Sequence, residues 1–434
     1  MRGTKLADQI IKLMKDGEKT PKDMKLGVEI EHIVVNKKDY SSVTYYGDNG
    51  IEGLLKELLA KGDGYQGVYE DGYVVGLKKE DIDITLEPGG QLEFSTRPCN
   101  KISYLQKNYE EFLEEIDPIL KQKDQKLLGI GYHPVTRISE IPFNPKKRYQ
   151  WMSKYLQSKG NCALNMMKGT AALQVTIDYM DAGDFSKKFR VANFLTPLLY
   201  LFSDNAPFFE GELYEKQGLR AMIWENTDND RSGVVPSAMN KRFTYSDYAE
   251  YLIEVPAICI KKEGVLESSG SKTIKEIYQS EEKIEKEEAE HLMTMVFPDV
   301  RCKNFIEIRA ADAMPKKELF AYVAFLKGLF YNQESLNILY ELSLDYSIED
   351  VIKGKHEMMR MGFEGRYCGE SFKELGSKFI GMSKCGLGSE ERTLLEPLEE
   401  RVRRGKTLSQ ELKEECKEDK IKGLQRLEIK PYHA

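Results

Sequence analysis

Gly27–Val28–Glu29–Ile30–Glu31–His32 alternates apolar and polar side chains inside a longer run, residues 25–35, that reads as a buried strand. Side chains two apart on a strand share a face, so Glu29 and Glu31 lie together. Three further segments repeat the pattern. In Leu86–Glu87–Pro88–Gly89–Gly90–Gln91–Leu92–Glu93–Phe94, Gln91 and Glu93 share a face, with Glu87 just across the Pro-Gly-Gly kink. In Leu173–Gln174–Val175–Thr176–Ile177–Asp178 the polar set Gln174, Thr176 and Asp178 faces one way. In Ile306–Glu307–Ile308–Arg309, Glu307 and Arg309 do the same.

Any one of these segments could be a half-exposed strand with a solvated face. Four together point elsewhere. If they pair in one sheet, one face collects at least five carboxylates, two glutamines and an arginine. Packed carboxylates repel and raise one another's pKa unless cations neutralise them. An oxygen-only cluster suits Mg²⁺ or Mn²⁺, which take carboxylates together with the oxygens of a bound phosphate. An adjacent arginine suits a phosphate in transfer. No GxxxxGK[ST] occurs, and Gly129–Ile130–Gly131 has Pro134 where a GxGxxG would need its last glycine. Nucleotide held through metal on a sheet face remains.

Around these segments, helical spacing is read over residues 51–61, 102–121, 149–157, 185–202 and 316–331, and strands over 68–77, 82–95, 126–131 and 305–311. Residues 218–236 read as a polar loop. Strands and helices alternate without a regular βαβ rhythm, so the fold class is α+β rather than doubly wound. The start resembles a short amphipathic helix, with Leu6, Ile10, Leu13 and Met14 on one face, and not a secretory signal. Residues 280–290 are a charge run read as a solvated helix face, and from Ser389 the chain becomes a charged helical appendage. The expected division is a catalytic domain over 1–388 and the appendage over 389–434.

Composition narrows the class. The 434 residues are 41% hydrophobic and 31% charged, as in soluble globular chains, with a length suited to one composite domain or two lobes around a cleft. The formal charge of −7 argues against nucleic acid as a partner. The most apolar run, 191–202, is too short for a bilayer and contains Pro197, so no membrane is expected. Seven scattered cysteines without a CxxC pair read as reduced thiols in the cytoplasm. His356–Glu357–Met358–Met359–Arg360 starts like a zinc-protease HExxH and lacks the second histidine.

The loop Leu219–Arg220–Ala221–Met222–Ile223–Trp224–Glu225–Asn226–Thr227–Asp228–Asn229–Asp230–Arg231–Ser232–Gly233 mixes a tryptophan, two arginines and acids. It suits recognition of an amino-acid carboxylate, with Arg220 or Arg231 as the fork. The plainer reading is an Asx-rich turn with a surface ion pair.

Several blocks resemble the plant-type glutamate–cysteine ligases, also found in bacteria: GVEIEH, TLEPGGQLEFS, Pro145–Lys146 with Arg148–Tyr149, LNMM before LQVTIDY, FSDNAPFFEG, IWENTDNDRSG, FPDVR and EIRAADAMP. They run in family order from about residue 25 to 330, with weaker similarity through Leu394–Leu395–Glu396–Pro397–Leu398. The resemblance implies a glutamine-synthetase-like catalytic fold, a mainly antiparallel curved sheet lining a funnel-shaped active site with helices outside. It implies ATP- and Mg²⁺-dependent ligation of L-glutamate to L-cysteine through an acyl phosphate, in a monomer or homodimer. Carried over by motif, Glu29, Glu31, Glu87, Glu93, Gln174 and Glu307 become metal ligands or their close partners. Glu93 and Arg309 become catalytic, Arg309 and Gln91 contact the nucleotide, and Arg220, Trp224 and Arg231 line the glutamate site.

Where many relatives have Met-x-Arg-Thr-Cys-Thr, this chain has Lys168–Gly169–Thr170–Ala171–Ala172. It also has Arg309–Ala310–Ala311–Asp312–Ala313–Met314–Pro315 for Arg-Gly-Ala-Asp-Gly-Gly-Pro, and Gly131–Tyr132–His133–Pro134 for Gly-Phe-Asp-Pro. These differences leave open a second amine acceptor in place of cysteine. A guanidino-type phosphotransferase and a non-catalytic binding protein are the remaining rivals.

Overall fold

In the computed structural model, which describes residues 5–262, 265–279 and 284–432, β-branched and alternating segments gather into one nine-stranded sheet. Its strands are β1 (Leu26–Asn36), β2 (Gln66–Glu70), β3 (Tyr73–Lys78), β4 (Ile82–Leu86), β5 (Leu92–Thr96), β6 (Gln125–Leu128), β7 (Ala172–Ile177), β8 (Val300–Cys302) and β9 (Ile306–Asp312). The order is β8-β9-β7-β1-β5-β4-β3-β2, and β6 pairs with the second half of β1. Every pairing within it is antiparallel. The α+β expectation therefore holds.

The apolar sheet face, with Val28, Ile30, Phe94, Leu173, Val175 and Ile308, is buried. It packs against α3 (Ile102–Gln122), α6 (Ala182–Ser203) and the helix Lys316–Phe330. In α3 the spacing Leu105, Tyr109, Phe112, Leu113, Ile116, Leu120 forms the buried stripe. By contrast α6 is buried almost all round, because other helices cover its outer side, and it runs through Pro197 as one helix. The opposite sheet face is roofed by α4 (Lys147–Leu156), α5 (Ala163–Gly169) and α7 (Leu219–Glu225). Near the start of the chain lie α1 (Lys5–Lys15), with Leu6, Ala7, Ile10 and Met14 buried, and α2 (Ile51–Ala60).

Three expectations change. Residues 68–77 are not one strand but the hairpin of β2 and β3, turning at Asp71 and Gly72, both with positive φ. The polar loop over 218–236 begins with a helix, α7, whose Leu219, Ala221 and Ile223 are buried. Finally, the charged segment from 389 is helical but not peripheral. Leu395, Leu398, Val402 and Leu408 belong to the main core, and Thr407 Oγ1 donates to buried Asp204 at 2.7 Å. The chain then returns beside β6, where Ile429 N–H donates to the Leu127 carbonyl at 2.8 Å. Residues 280–283 of the charge run lie outside the described residues, and the rest leads into the helix Lys286–Met293.

Candidate active site

Register decides which side chains meet. On the antiparallel ladders, Glu31 lies opposite Glu93, Glu29 opposite Gln174, Thr85 opposite Glu93, and Glu307 opposite both Thr176 and Arg301. Opposed residues share a face, so β1, β4, β5, β7, β8 and β9 all send polar groups to the roofed side. Between the sheet and the roof is a cavity of about 320 Å³. Its lining includes Glu29, Glu31, Glu87, Gln91, Glu93, Gln174, Arg220, Trp224 and Arg309.

Glu87 and Gln91 reach the cavity through the kink between β4 and β5. Gly90 takes φ +88°, a conformation that a side chain strains, and its N–H donates to the Glu87 carbonyl at 2.8 Å. At Gly89 a Cβ would stand 2.5 Å from the Lys168 carbonyl oxygen, so the strand connection lies flat on α5. Gln91 holds that contact. Its Oε1 accepts from Gly89 N–H at 2.8 Å, and its Nε2 donates to Thr170 O at 2.7 Å and Met167 O at 3.3 Å. The amide thus braces the loop while the residue also lines the cavity.

The acids fall into two groups. Burial first, and then the charge of Glu87, pushes the Glu31 carboxyl up to about 8 against the pull of Arg220. Burial and the neighbouring Glu29, Glu87 and Glu31 raise Glu93 well above the usual carboxylate range, despite a hydrogen bond from Thr85. Glu29 is raised by burial and by Glu307. Glu307 behaves oppositely. Burial would raise it, but Arg301, Lys303 and Arg309 override that and hold it below the usual range. Arg301 grips both its oxygens, Nε at 2.5 Å and Nη2 at 3.0 Å, and Arg309 Nη1 adds a third contact at 3.3 Å. Glu307 is fully buried behind the cavity as a counter-ion to Arg301 and Arg309, which makes it a close partner of the site in place of a cavity-lining acid.

Gln174 is likewise a bridge. Its Nε2 donates to Glu31 Oε1 at 3.0 Å and its Oε1 accepts from Arg309 Nη1. The second Glu31 oxygen accepts from Ala172 N–H at 2.8 Å. Arg220 donates from Nε and Nη2 to the Arg309 carbonyl at 3.4 and 3.3 Å. Both guanidinium groups stand over the Trp224 ring, at 5.6 and 5.9 Å.

Arg231 is elsewhere. Its fork is fully buried and engaged by Asp228 at 2.6 Å, Met295 O at 2.7 Å, Tyr155 OH at 2.8 Å and Pro256 O at 2.7 Å. It pins the segment after α7 to three distant parts of the chain and does not line the cavity, a correction to its expected place in a glutamate site. Asp178 is turned to the backbone N–H of Lys25 at the strand end, also away from the site.

The residues that sequence reasoning missed are Lys146, Arg148, Arg301 and Lys303, together with a wall of Tyr149, Met152, Met166, Met167 and Phe297. Lys146 and Arg148 lie in the quoted Pro-Lys-x-Arg-Tyr block and Arg301 in FPDVR, so the blocks signalled them without giving a role. Among the described residues, Arg148 Nε, Arg220 Nη1 and Arg309 Nε are buried without a hydrogen-bond partner. Three such N–H groups on cavity-lining arginines form a receptor for anionic oxygens.

The donor set also fits a hard divalent cation: Glu29, Glu31 and Glu93 are oxygen donors whose mutual repulsion calls for a positive charge. Among the described residues no three His, Cys, Asp or Glu side chains close around one point as a ready cage. The arrangement can therefore bring a phosphate chain and a carboxylate together, between an acidic strand pair and an arginine cluster.

A model of glutamate–cysteine ligase family 2 matches residues 25–428. The chloroplastic glutamate–cysteine ligase of Arabidopsis thaliana is 28% identical over 94% of this chain and 79% of its own length. Glutamate–cysteine ligase B of Oryza sativa subsp. japonica is 28% identical over 88% of this chain and 77% of its own. Among solved structures, a glutamate–cysteine ligase of Francisella tularensis in complex with AMP superposes with a TM-score of 0.57 at 12% identity, covering 93% of this chain and 88% of that one. That likeness is one of fold.

Proposed function

Since the chain belongs to glutamate–cysteine ligase family 2, we propose that it couples ATP cleavage to joining the γ-carboxylate of L-glutamate to the amine of L-cysteine. The observation that carries this reading is the register that sets Glu29, Glu31 and Glu93 on one cavity face beside Arg309, Arg220 and Arg148. A carboxylate and a triphosphate are both anionic, so bringing them into contact requires positive charge on each side.

Arg220, stacked on Trp224, binds the glutamate carboxylate. Arg309 offsets charge on the γ-phosphoryl group while the γ-carboxylate oxygen attacks phosphorus and the bond to ADP breaks. Glu29, Glu31 and Glu93 would hold Mg²⁺, which when bound neutralises the phosphate oxygens. The amine then attacks the acyl carbon, phosphate leaves with the carboxylate oxygen, and a proton is lost from nitrogen. The apolar wall of Met152, Met166, Met167 and Phe297 keeps water from hydrolysing the acyl phosphate first. Among the described residues no helix is long and apolar enough to cross a membrane, and all seven cysteines are unpaired. Unpaired thiols suit a reducing compartment such as the cytoplasm.

The oxygen route tests the chemistry. With glutamate labelled with ¹⁸O in its γ-carboxylate, label should arrive in inorganic phosphate in a cysteine-dependent reaction. Label in AMP would replace the acyl phosphate by an acyl adenylate, and label reaching neither phosphate nor AMP would end the ligase reading.

A further inference from the structure

Asp299, in FPDVR, takes no part in the chemistry above. Asp299 is buried between β9 and the helix Ile348–Met361, and its carboxylate is shared by two partners. Lys355 Nζ, itself buried, lies 2.8 Å from Oδ2, and Tyr200 OH donates to Oδ1 at 2.5 Å. The Asp299 backbone is tied as firmly. Its N–H donates to Gly233 O at 2.8 Å, and its carbonyl accepts from Arg309 N–H at 2.9 Å.

That last bond lies where β9 departs from its neighbour. The β9–β7 register shifts between Ile308 and Ala311, so Arg309 stands in an irregular step. A residue in a bulge has no ladder partner to set its orientation. Here the Asp299 carbonyl holds the N–H of Arg309, and Arg220 holds its carbonyl. The Lys355 ammonium also lies 3.8 Å from Glu225 at the end of α7, the helix that carries Arg220 and Trp224.

We propose that the buried Lys355–Asp299–Tyr200 cluster is a clamp that positions Arg309 for phosphoryl transfer, acting through the Asp299 backbone. Asp299 and Lys355 are positioning residues, since neither lines the cavity. An ion pair is used because it fixes one geometry: two apolar side chains could slide, whereas a buried carboxylate with two directed donors cannot without losing them. The kinetic part rests on the ligase reading, and the spectroscopic part does not.

The test is a double-mutant cycle with a spectroscopic readout. Lys355→Met should lower kcat for ADP formation at least about tenfold while the glutamate KM stays within about twofold. In an Arg309→Lys background the same change should cost less than about twofold, because the orientation it protects is already lost. Lys355→Arg should retain most of kcat. Independently of turnover, the Arg309 Nε–H resonance in ¹⁵N-arginine protein, assigned by its loss in Arg309→Lys, should broaden or shift in Lys355→Met and stay in place in Lys355→Arg. Should Lys355→Met fail to fold, the charge-neutral pair Asp299→Asn with Lys355→Met is measured in its place, with the same expected outcome. Equal losses of kcat in both backgrounds, or an unmoved Arg309 signal, would overturn the clamp. Absence of ADP formation in the wild type would remove the ligase reading and leave the resonance to decide the clamp.

Discussion

Glu93 sits where burial and three neighbouring carboxylates disfavour its charge, a cost that a bound cation would offset. Glu93→Gln removes a proposed metal ligand but also a repulsion. We expect Mg²⁺-dependent ATP turnover to fall by about 10²-fold or more, with thermal stability unchanged or slightly raised. Normal turnover would remove the acidic face from the chemistry. Protonation offers a second check. Glu31 is raised from 4.5 to about 8, so near pH 7 the metal-free fold holds a proton that the unfolded chain has released. This contribution to stability is full below pH 4.5 and is lost as pH rises through about 8. Mg²⁺ needs the carboxylate, so its binding should release protons and tighten between pH 6 and 8.5. Calorimetry in buffers of different ionisation enthalpy would show this, and pH-independent Mg²⁺ binding would contradict it. Arg231 should behave otherwise. With Asp228 left unpaired in the interior, Arg231→Ala should lower the unfolding free energy from urea titration by about 3–5 kcal/mol, whereas a folded variant with only a raised glutamate KM would return it to the substrate site.

Among the elements, the β4–β5 kink is the one whose geometry the site depends on. Gly90→Ala places a side chain at φ +88°, and we expect a loss of about 1–2 kcal/mol together with weakened Mg·ATP binding, because Glu87 and Glu93 flank the turn. Unchanged stability and binding would show that the kink tolerates a Cβ. The four polar-alternating segments were legible because a strand's period of two is a local property, and the register then placed their acids together. What stayed hidden was long-range. Nothing local says that Arg231 reaches Tyr155, Met295 and Pro256, so an arginine in an Asp-rich stretch read as a free fork. Glu307 read as one more acid because its pairing with Arg301 needs the β8–β9 hairpin. The seven residues of α7 are too few to show a helical period beside a polar loop.

At the scale of the whole molecule, charge misled the reading of the C-terminal segment. Its exposed faces are rich in Lys, Arg and Glu, yet Leu395, Leu398, Val402, Leu408 and Ile429 enter the main core and Leu412 and Leu427 pack beneath β6. Ending the chain at residue 388 should therefore strip the core and give an aggregated or unfolded product by size-exclusion and circular dichroism. A monodisperse, cooperatively folding 1–388 fragment would restore the two-part division. One sheet face supplies the core and the other lines the cavity of the proposed active site, which the roof of α4, α5 and α7 closes.

The most direct measurement is ADP release with ATP, Mg²⁺ and L-glutamate, with and without L-cysteine, followed by mass analysis of the product. We expect cysteine-dependent ADP and the mass of γ-glutamylcysteine. ADP release that ignores cysteine and responds to a different amine would contradict the assignment of the acceptor, and no glutamate-dependent ADP with any amine would contradict the ligase itself.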